Sequence, residues 1–546
     1  MYKDDVKIYH KLKYEPRQLQ IDALEFTKHQ FRRGKKYVML NMPTGTGKSY
    51  FAVMFINWYK NYINEDAKFD ILTNTKLLQN QYINEFPFIA NLKGKNSYRC
   101  NSYPDSSCQE GKEMNKALKR TCNDCPYDRD MQKWRTQDIA MTNFHLFDTV
   151  NLFIPDLMVA KEPNVLIIDE AHDFESVLCD FITMKITKRS LKMMGFNDVN
   201  IMNISAELKT GVSNMQEFVD YVNDTFLHKL ESLLSSLESR ISNPSMSQPE
   251  KIRYSKNISH LKGAIFNYQS FLSDYKENGD NWVMDVEFKP KDKEFSHEYV
   301  VQPVWSYDYL KEVIWDKYDH VILMSGTILN KEMFSYINGL DPKLTSYYEV
   351  PTPFDVKRRP IYYIKVGKMT FNEKVETFKK QIEYIDKIIK RNSDKKGIIH
   401  TGNYEISGWL KEHYGEKSRM IFHETEDRNE ALNQHISSEL PTILVSPSMM
   451  NGVDLKDDLS RFQIILKIPY PNIKSKKIKK RQKDNKDWYN WKTVVDLIQS
   501  YGRSVRSDED WAETYILDSS LSNIMKFNYK YLPRYFTDAI KMLKMK

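Results

Sequence analysis

The sequence predicts an α/β protein built on parallel, doubly wound sheet, with two interruptions in its first half and a second α/β unit after them. Three observations carry this. Short apolar runs alternate with amphipathic stretches over residues 37–86 and again over 138–172. Two of these runs end in turns that carry chemistry, at residues 42–49 and 169–172. The same alternation returns beyond residue 320, in the apolar runs 320–324, 397–400, 442–445 and 463–467.

In chain order, residues 16–20 (Pro-Arg-Gln-Leu-Gln) precede a helical pattern of Leu19, Ala23, Leu24, Phe26 and Phe31. The apolar run 37–40 then reads as a strand. It leads into Met42-Pro43-Thr44-Gly45-Thr46-Gly47-Lys48-Ser49 and an amphipathic stretch from Ser49 to about Tyr59. Strand, glycine turn and helix are the context a phosphate-binding loop needs. Its backbone N–H groups and the helix dipole favour phosphate, Lys48 would reach the β- and γ-phosphates, and Ser49 would ligate Mg²⁺. A strand at 69–73 and a helix at 77–86 follow.

Residues 97–126 break the alternation. They are polar, include Pro104 and Gly111, and hold too little apolar matter to fold alone. Strands at 138–143 and 165–168 resume the pattern, and the latter ends in Asp169-Glu170-Ala171-His172. Acids at a strand's carboxyl end face the ligand edge of an open sheet. Asp169 can hold Mg²⁺, and Glu170 can orient and deprotonate a water. The pair of turns predicts hydrolysis of a nucleoside triphosphate.

From about residue 183 to 296 apolar residues recur at helical spacing, as in Phe218, Tyr221, Phe226, Leu230, Leu233, Leu234 and Leu237. A break at 243–249 and a β-like piece at 282–288 punctuate this insertion. The strand at 320–324 runs directly into Ser325-Gly326-Thr327.

At 546 residues the chain exceeds a single core. No run approaches a membrane span and the first residues lack an apolar signal segment, so the expectation is an intracellular, non-secreted protein of cytoplasm, nucleoid or nucleus. The net charge is +8, and the clearest basic run is 473–483, with Lys474, Lys476, Lys477, Lys479, Lys480, Arg481 and Lys483. Such a run suits a solvated face or, with the aromatic cluster at Trp488, Tyr489 and Trp491 behind it, a nucleic-acid contact.

Four of the five cysteines fall within 26 residues: Cys100, Cys108, Cys122 and Cys125, spaced C-x7-C-x13-C-x2-C. In a reducing compartment this points to a metal. Zinc takes four thiolates but prefers two short knuckles, of which only Cys122/Cys125 is one. A [4Fe–4S] cluster takes four thiolates at irregular spacing. Spacing alone leaves the two open. Cys179 reads as core packing.

The second half has no phosphate loop of its own, so its motifs serve the nucleotide on Lys48. Candidates are Asn451-Gly452-Val453-Asp454 and Gln499-x-x-Gly-Arg503-x-x-Arg506. Arg503 and Arg506 would share a helix face close to Gln499, an arrangement suited to the transition-state charge of a γ-phosphate. The plainer alternative pairs both arginines with Asp508, Glu509 or Asp510.

In this order the motifs resemble those of superfamily 2 helicases, specifically the XPD/DinG group of iron–sulfur helicases. Arg17 and Gln20 look like its R-x-x-Q motif, Thr44, Gly45, Thr46, Gly47, Lys48 and Ser49 like motif I, and residues 73–76 like motif Ia. Asp169–His172 resembles motif II, Ser325-Gly326-Thr327 motif III, Gly452-Val453-Asp454 motif V, and Gln499 to Arg506 motif VI. The cysteines occupy the place of the family's iron–sulfur domain and the helical insertion that of its Arch. Met42 and Asn451 depart from the pattern, and the Arch equivalent is short.

The resemblance implies two RecA-like lobes with an iron–sulfur insertion and a helical Arch-like insertion in the first. Lobe 1 would comprise 1–96, 127–182 and 298–345, the cluster domain 97–126, the Arch 183–297 and lobe 2 346–546. ATP, Mg²⁺ and a [4Fe–4S] cluster would be bound, the cluster by Cys100, Cys108, Cys122 and Cys125. Lys48, Glu170, Gln499, Arg503 and Arg506 would be catalytic. Arg17, Gln20, residues 44–49, Asp169 and Asp454 would contact the nucleotide, with Ser49 and Asp169 on Mg²⁺. The implied activity is 5′→3′ DNA unwinding by a monomeric motor on single-stranded and forked DNA, without a membrane partner. The alternatives are a translocase that remodels protein–DNA complexes and a slow, complex-bound subunit.

Overall fold

The computed structural model describes residues 12–543 except 118, 154, 155, 157, 159, 160, 244, 289–294, 416–418, 448–454, 456 and 503–509. In chain order its strands are β1 (Tyr37–Asn41), β2 (Phe69–Thr73), β3 (Ala90–Asn91), β4 (Ile139–Asn143), β5 (Val165–Asp169) and β6 (Met184–Ile186). There follow β7 (Trp282–Phe288), β8 (His297–Pro303), β9 (His320–Ser325), β10 (Thr345–Glu349), β11 (Ile361–Gly367) and β12 (Gly397–His400). The last are β13 (Met420–Ile421), β14 (Ile443–Ser446), β15 (Phe462–Ile465), β16 (Glu513–Asp518) and β17 (Ile540–Met542).

Two seven-stranded sheets result, ordered β10-β1-β9-β5-β2-β4-β3 and β13-β14-β12-β15-β16-β11-β17. Every pairing in both is parallel. Strands covered on both faces read as continuous apolar runs, and β1, β2, β4 and β5 are buried at every position. These are two α/β lobes, as the alternation predicts.

Register decides where chemistry gathers. Asn41 of β1 lies beside Ser325 of β9, and Asp169 of β5 beside Met324 of β9. The three neighbouring strands therefore open the phosphate loop, the Asp-Glu-Ala-His turn and the Ser-Gly-Thr turn at one sheet edge. Strand β10 pairs with β1, so the first sheet uses the chain as far as Glu349.

The insertion builds its own core from the helices Lys188–Met194, Asp198–Gly211, Leu227–Ile241 and Gln248–Asn278. The break at 243–249 is the start of the last of these, where Ser247 and Glu250 form a capping box and Pro249 stands in the first turn. At its base lies an antiparallel sheet β6-β8-β7. Of these strands only β7 is foreshadowed in the sequence; β8 gains its place by pairing with β7 along its whole length. A single apolar cluster spans both lobes, joining Trp315 and Leu323 of the first to Trp491 and Ile516 of the second.

Candidate nucleotide site

β1 delivers the chain to the phosphate loop with Asn41 fixed: its Oδ1 accepts the Ile328 N–H at 2.9 Å, and Met42 N–H donates to Ser325 O at 2.8 Å. Met42, the departure in the motif, is wholly buried among the apolar residues of the first sheet, so its bulk stays out of the loop's mouth. Gly45 and Gly47 take φ of 81° and 78°, the left-handed region glycine enters freely. Thr46 Oγ1 closes the turn on Pro43 O at 2.8 Å. Arg17 and Gln20 hold it from outside: Arg17 Nη1 donates to Gly45 O at 2.9 Å, and Gln20 Nε2 to Thr46 O and Gly47 O, each at 3.1 Å. Thr44 lies beside Gly326 of the neighbouring turn.

Lys48 opens the helix Lys48–Tyr62. Its Nζ lies 2.7 Å from Glu170 Oε1 and 3.7 Å from Asp169 Oδ1. Ser49 Oγ donates to Glu85 Oε2 at 3.2 Å, and Tyr82 OH donates to Asp169 Oδ2 at 3.0 Å. Tyr82 and Glu85 share a face of the helix Lys76–Glu85, three residues apart. That spacing was readable in the sequence, but nothing there ties the pair to the loop.

Glu170 is a non-glycine residue at φ 58°, a conformation uncommon for residues with a side chain. It sits between Lys48 and His172, whose Nδ1 is 3.3 Å from Glu170 Oε2 and 2.8 Å from Ser325 Oγ. On its other side His172 Nε2 is 3.3 Å from Asp173 Oδ1. Burial presses His172 to lose its proton, but the Asp173 and Glu170 carboxylates prevail and hold it up at about 9. Burial likewise opposes ionised Glu170, yet Lys48 and His172 outweigh it and keep this carboxyl well below the usual range. Asp169 moves the other way, up to about 6, because burial dominates and Lys48 only partly offsets it.

The second lobe reaches this site through the helix Lys486–Tyr501. Gln499 Nε2 donates to Thr327 Oγ1 at 2.6 Å and lies 3.1 Å from His172 Nε2. Predicted residues from motifs I, II, III and VI thus touch in one hydrogen-bonded set. Asn74 of the motif Ia turn joins it by donating to Asp173 Oδ2 at 2.5 Å. Asp454, Arg503 and Arg506, with Asn451, lie outside the described residues. One suggested partner of those arginines, Asp510, accepts a hydrogen bond from Arg461 at 2.6 Å.

The four clustered cysteines meet on one helix. Cys108, Gly111 and Asn115 recur on a single face of Cys108–Ala117. Gly111 packs against Cys100, whose Sγ would lie 2.2 Å from an added Cβ. Cys125 Sγ is 3.6 Å from Cys108 Sγ, and Asn115 Nδ2 donates to Cys122 Sγ at 3.1 Å. Burial first, then the Cys125 contact, push the Cys108 thiol up to about 12. Among the described residues no three His, Cys, Asp or Glu side chains converge as closely as one bound ion requires. The fifth cysteine, Cys179, is fully buried and donates to Glu175 at 3.1 Å.

The basic run divides in two. It forms the helix Lys476–Asp484, with Lys477 and Arg481 buried and Lys474, Lys476, Lys479 and Lys483 exposed. Arg481 makes a bidentate pair with Glu175, at 2.5 and 3.3 Å, and donates from Nε to Val304 O at 2.6 Å. The aromatic cluster behind it is not a stacking surface for bases. Trp488 and Trp491 are each 2 % exposed and, with Val495 and Ile498, form the core-facing stripe of their helix. Tyr489, half-buried, stacks on Tyr470.

Comparisons with known proteins follow the same lines. Residues 13–197 match a family model described as type III restriction enzyme, res subunit, and residues 402–538 one described as helicase C-terminal domain. A curated relative, the ATP-dependent DNA helicase CHL1 of Vanderwaltozyma polyspora, is 28% identical over 131 residues, which cover 20% of this chain and 16% of the relative. The match thus spans a small part of that protein. Among solved structures, an XPD helicase superposes with a TM-score of 0.65 at 15% identity, covering 97% of this chain and 100% of the other. Xpd4 of S. tokodaii gives 0.60 at 15% over 97% and 100%, and an apo XPD 0.63 at 16% over 94% and 98%. Among the described residues no helix is long and apolar enough to cross a membrane. The chain shares the fold of the XPD helicases, with two lobes each built on a parallel sheet.

Proposed function

We propose that the chain is an ATP-driven DNA helicase that moves 5′→3′ along single-stranded DNA and parts the duplex ahead of it. The observation that carries the nucleotide-driven part of this reading is the unbroken set Lys48, Glu170, His172, Ser325, Thr327 and Gln499, which runs from the phosphate loop to the second lobe; DNA and direction rest on the resemblance of the motifs. A phosphate on Lys48 changes the charge facing Glu170, and every later member of the set feels the change.

Lys48 holds the β- and γ-phosphates, and Ser49 and Asp169 hold Mg²⁺, which asks for only one or two carboxylates beside the phosphates. Glu170, kept ionised by its neighbours, orients the water and takes its proton. Arg17 and Gln20 brace the loop, Gln499 approaches from the second lobe, and the motif resemblance assigns Arg503, Arg506 and Asp454 to the same nucleotide. Lobe closure on ATP and release after hydrolysis ratchet the strand. The exposed lysines at 474, 476, 479 and 483 bind its phosphates without reading sequence.

Cys100, Cys108, Cys122 and Cys125 hold a [4Fe–4S] cluster. Cys100 packs on Gly111, Cys122 on Asn115 and Cys125 on Cys108, all along the helix Cys108–Ala117. Four thiols at irregular spacing suit such a cluster, which would cross-link segments with little apolar core. Residues 97–126 form the cluster module and residues 183–297 the Arch-like insertion, both carried on the first lobe.

The test is a forked-duplex unwinding assay run beside strand-stimulated ATP hydrolysis. Wild type should do both. Lys48→Ala and Glu170→Gln should fold and do neither, Glu170→Gln while still binding ATP. Substantial hydrolysis in either variant would refute the site, and wild-type hydrolysis without unwinding would select the remodelling translocase.

A further inference from the structure

We infer that Tyr82 and Glu85 are positioning residues for Mg²⁺, Tyr82 holding the Asp169 carboxylate and Glu85 the Ser49 hydroxyl. This rests on the reading that places the ion on Ser49 and Asp169, and it adds the residues that set how tightly the ion is taken. Ser49 and Asp169 supply one hydroxyl and one carboxylate, the all-oxygen donors that this hard cation takes beside phosphates. Groups that hydrogen-bond a metal's ligands fix their orientation and tune affinity.

The two ligands stand on different elements, Ser49 in the first turn of the helix Lys48–Tyr62 and Asp169 at the end of β5. One helix reaches both. Lys76–Glu85 carries Tyr82 and Glu85 three residues apart, on one face at its carboxyl end. Tyr82 is 3 % exposed, and its OH donates to Asp169 Oδ2 at 3.0 Å. The other oxygen, Oδ1, accepts the Glu170 N–H at 2.9 Å and lies 3.7 Å from Lys48 Nζ. Asp169 is thus held at both oxygens, which fixes the plane of its carboxylate. Packing asks only for the tyrosine's ring; its hydroxyl serves the carboxylate. Glu85, which is exposed, accepts the Ser49 O–H on Oε2 at 3.2 Å. A hydroxyl that gives its proton to a carboxylate keeps its lone pairs, the part of the oxygen a cation uses. The helix is itself fixed in place. Thr75 Oγ1 caps it by accepting the Leu78 N–H at 3.3 Å, and buried Gln79 donates to Asn91 Oδ1 at 2.6 Å and to Leu92 O at 2.8 Å.

The test is equilibrium binding of the non-hydrolysable analogue AMP-PNP to the full chain, in EDTA and across a Mg²⁺ titration. The quantity read is the factor by which Mg²⁺ tightens binding. Tyr82→Phe, which keeps the ring, should reduce that factor roughly tenfold, as loss of a group behind a metal ligand does. Affinity in EDTA should stay within about twofold, because Lys48 and the loop amides still hold the phosphates. Glu85→Ala should act in the same direction without disturbing the core, and Glu85→Gln, whose amide oxygen still accepts, should recover part of the factor. Tyr59→Phe removes a hydroxyl from the far end of the Lys48 helix, where it meets His320, and should leave the factor unchanged. An unchanged factor in Tyr82→Phe would overturn the inference. So would an equal loss of affinity with and without Mg²⁺, which would make the pair a brace of the loop. Wild-type binding that ignores Mg²⁺ would instead break the metal reading beneath it.

Discussion

Both large sheets place a glycine-bearing turn between a buried strand and a helix, and the two turns differ in what occupies the helix N-terminus. After β12, Thr401-Gly402-Asn403 leads to Tyr404–Tyr414, and Asn403 Oδ1 accepts the Ile406 N–H at 2.8 Å. That end is satisfied by its own side chain. After β1, the helix Lys48–Tyr62 has no side-chain cap among the described residues, and its first residue is a cation held by two acids. An uncapped N-terminus with a lysine offers N–H groups and charge to an anion. The same architecture thus leaves one helix end open to an anion and closes the other with its own side chain, and the predictions probe how much the second lobe contributes.

The largest effect belongs to its arginines. Arg506→Ala should lower turnover by about 10³ if the residue meets transition-state charge, and should change ATP affinity far less. Collapse of affinity with normal saturated turnover would make it a ground-state ligand and weaken the contrast between the lobes. The check is single-turnover hydrolysis beside equilibrium nucleotide binding.

A second contrast lies between the lobes and the cysteine segment. The lobes own complete sheets; residues 97–126 own one helix and four thiols. Cys122→Ser should remove the iron–sulfur absorption near ~400 nm and abolish unwinding, while some strand-stimulated hydrolysis persists. Stoichiometric zinc without iron in anaerobically purified protein would sink the cluster. Full unwinding by Cys122→Ser would sink its mechanical role.

Motifs that end apolar strands were legible in the sequence because strand and turn chemistry are both local: Lys48, Asp169, Glu170 and Ser325 all stand where alternation and residue type place them. Gln499 was found through its neighbours on a helix. Other residues were hidden by distance. Glu85 and Tyr82 meet Ser49 and Asp169 only after folding. Strands β10, β11 and β16 mix aromatic and polar residues and gain their identity from partners in the sheet. The basic run misled in part, since charge alone does not tell an exposed lysine from Arg481, which is buried against Glu175. Trp488 and Trp491 misled for the opposite reason: an aromatic cluster reads equally as core.

That buried pair is the next test, because it ties lobe 2 to the helix that follows the Asp-Glu-Ala-His turn. Arg481→Ala leaves Glu175 ionisable and unpaired in the interior, which should cost about 3–5 kcal/mol. Replacing both, as Arg481→Met with Glu175→Leu, should cost clearly less than either truncation. Denaturant unfolding of the two singles and the double measures this. Additive losses would mean that the pair does not couple the lobes.

The smallest effect concerns His172, where the lobes meet. Its folded value of about 9 lies above the ordinary 6.5. A group raised by folding contributes fully below its unfolded value, and the contribution disappears as pH climbs through the folded one. His172 should therefore stabilise the protein at pH 6 and lose most of that by pH 9 to 10, an amount of up to about 3 kcal/mol. Other groups titrate in the same window, so the informative quantity is the difference between wild type and His172→Gln. The gap in melting temperature should be a few degrees at pH 6 and should close toward pH 10. A gap that is constant with pH would mean that His172 is held by shape and neutral hydrogen bonds, with no proton shared between Glu170 and Asp173. In that case the charge set linking Lys48 to Gln499 would end at Glu170, and the second lobe would sense the nucleotide through Ser325 and Thr327 alone.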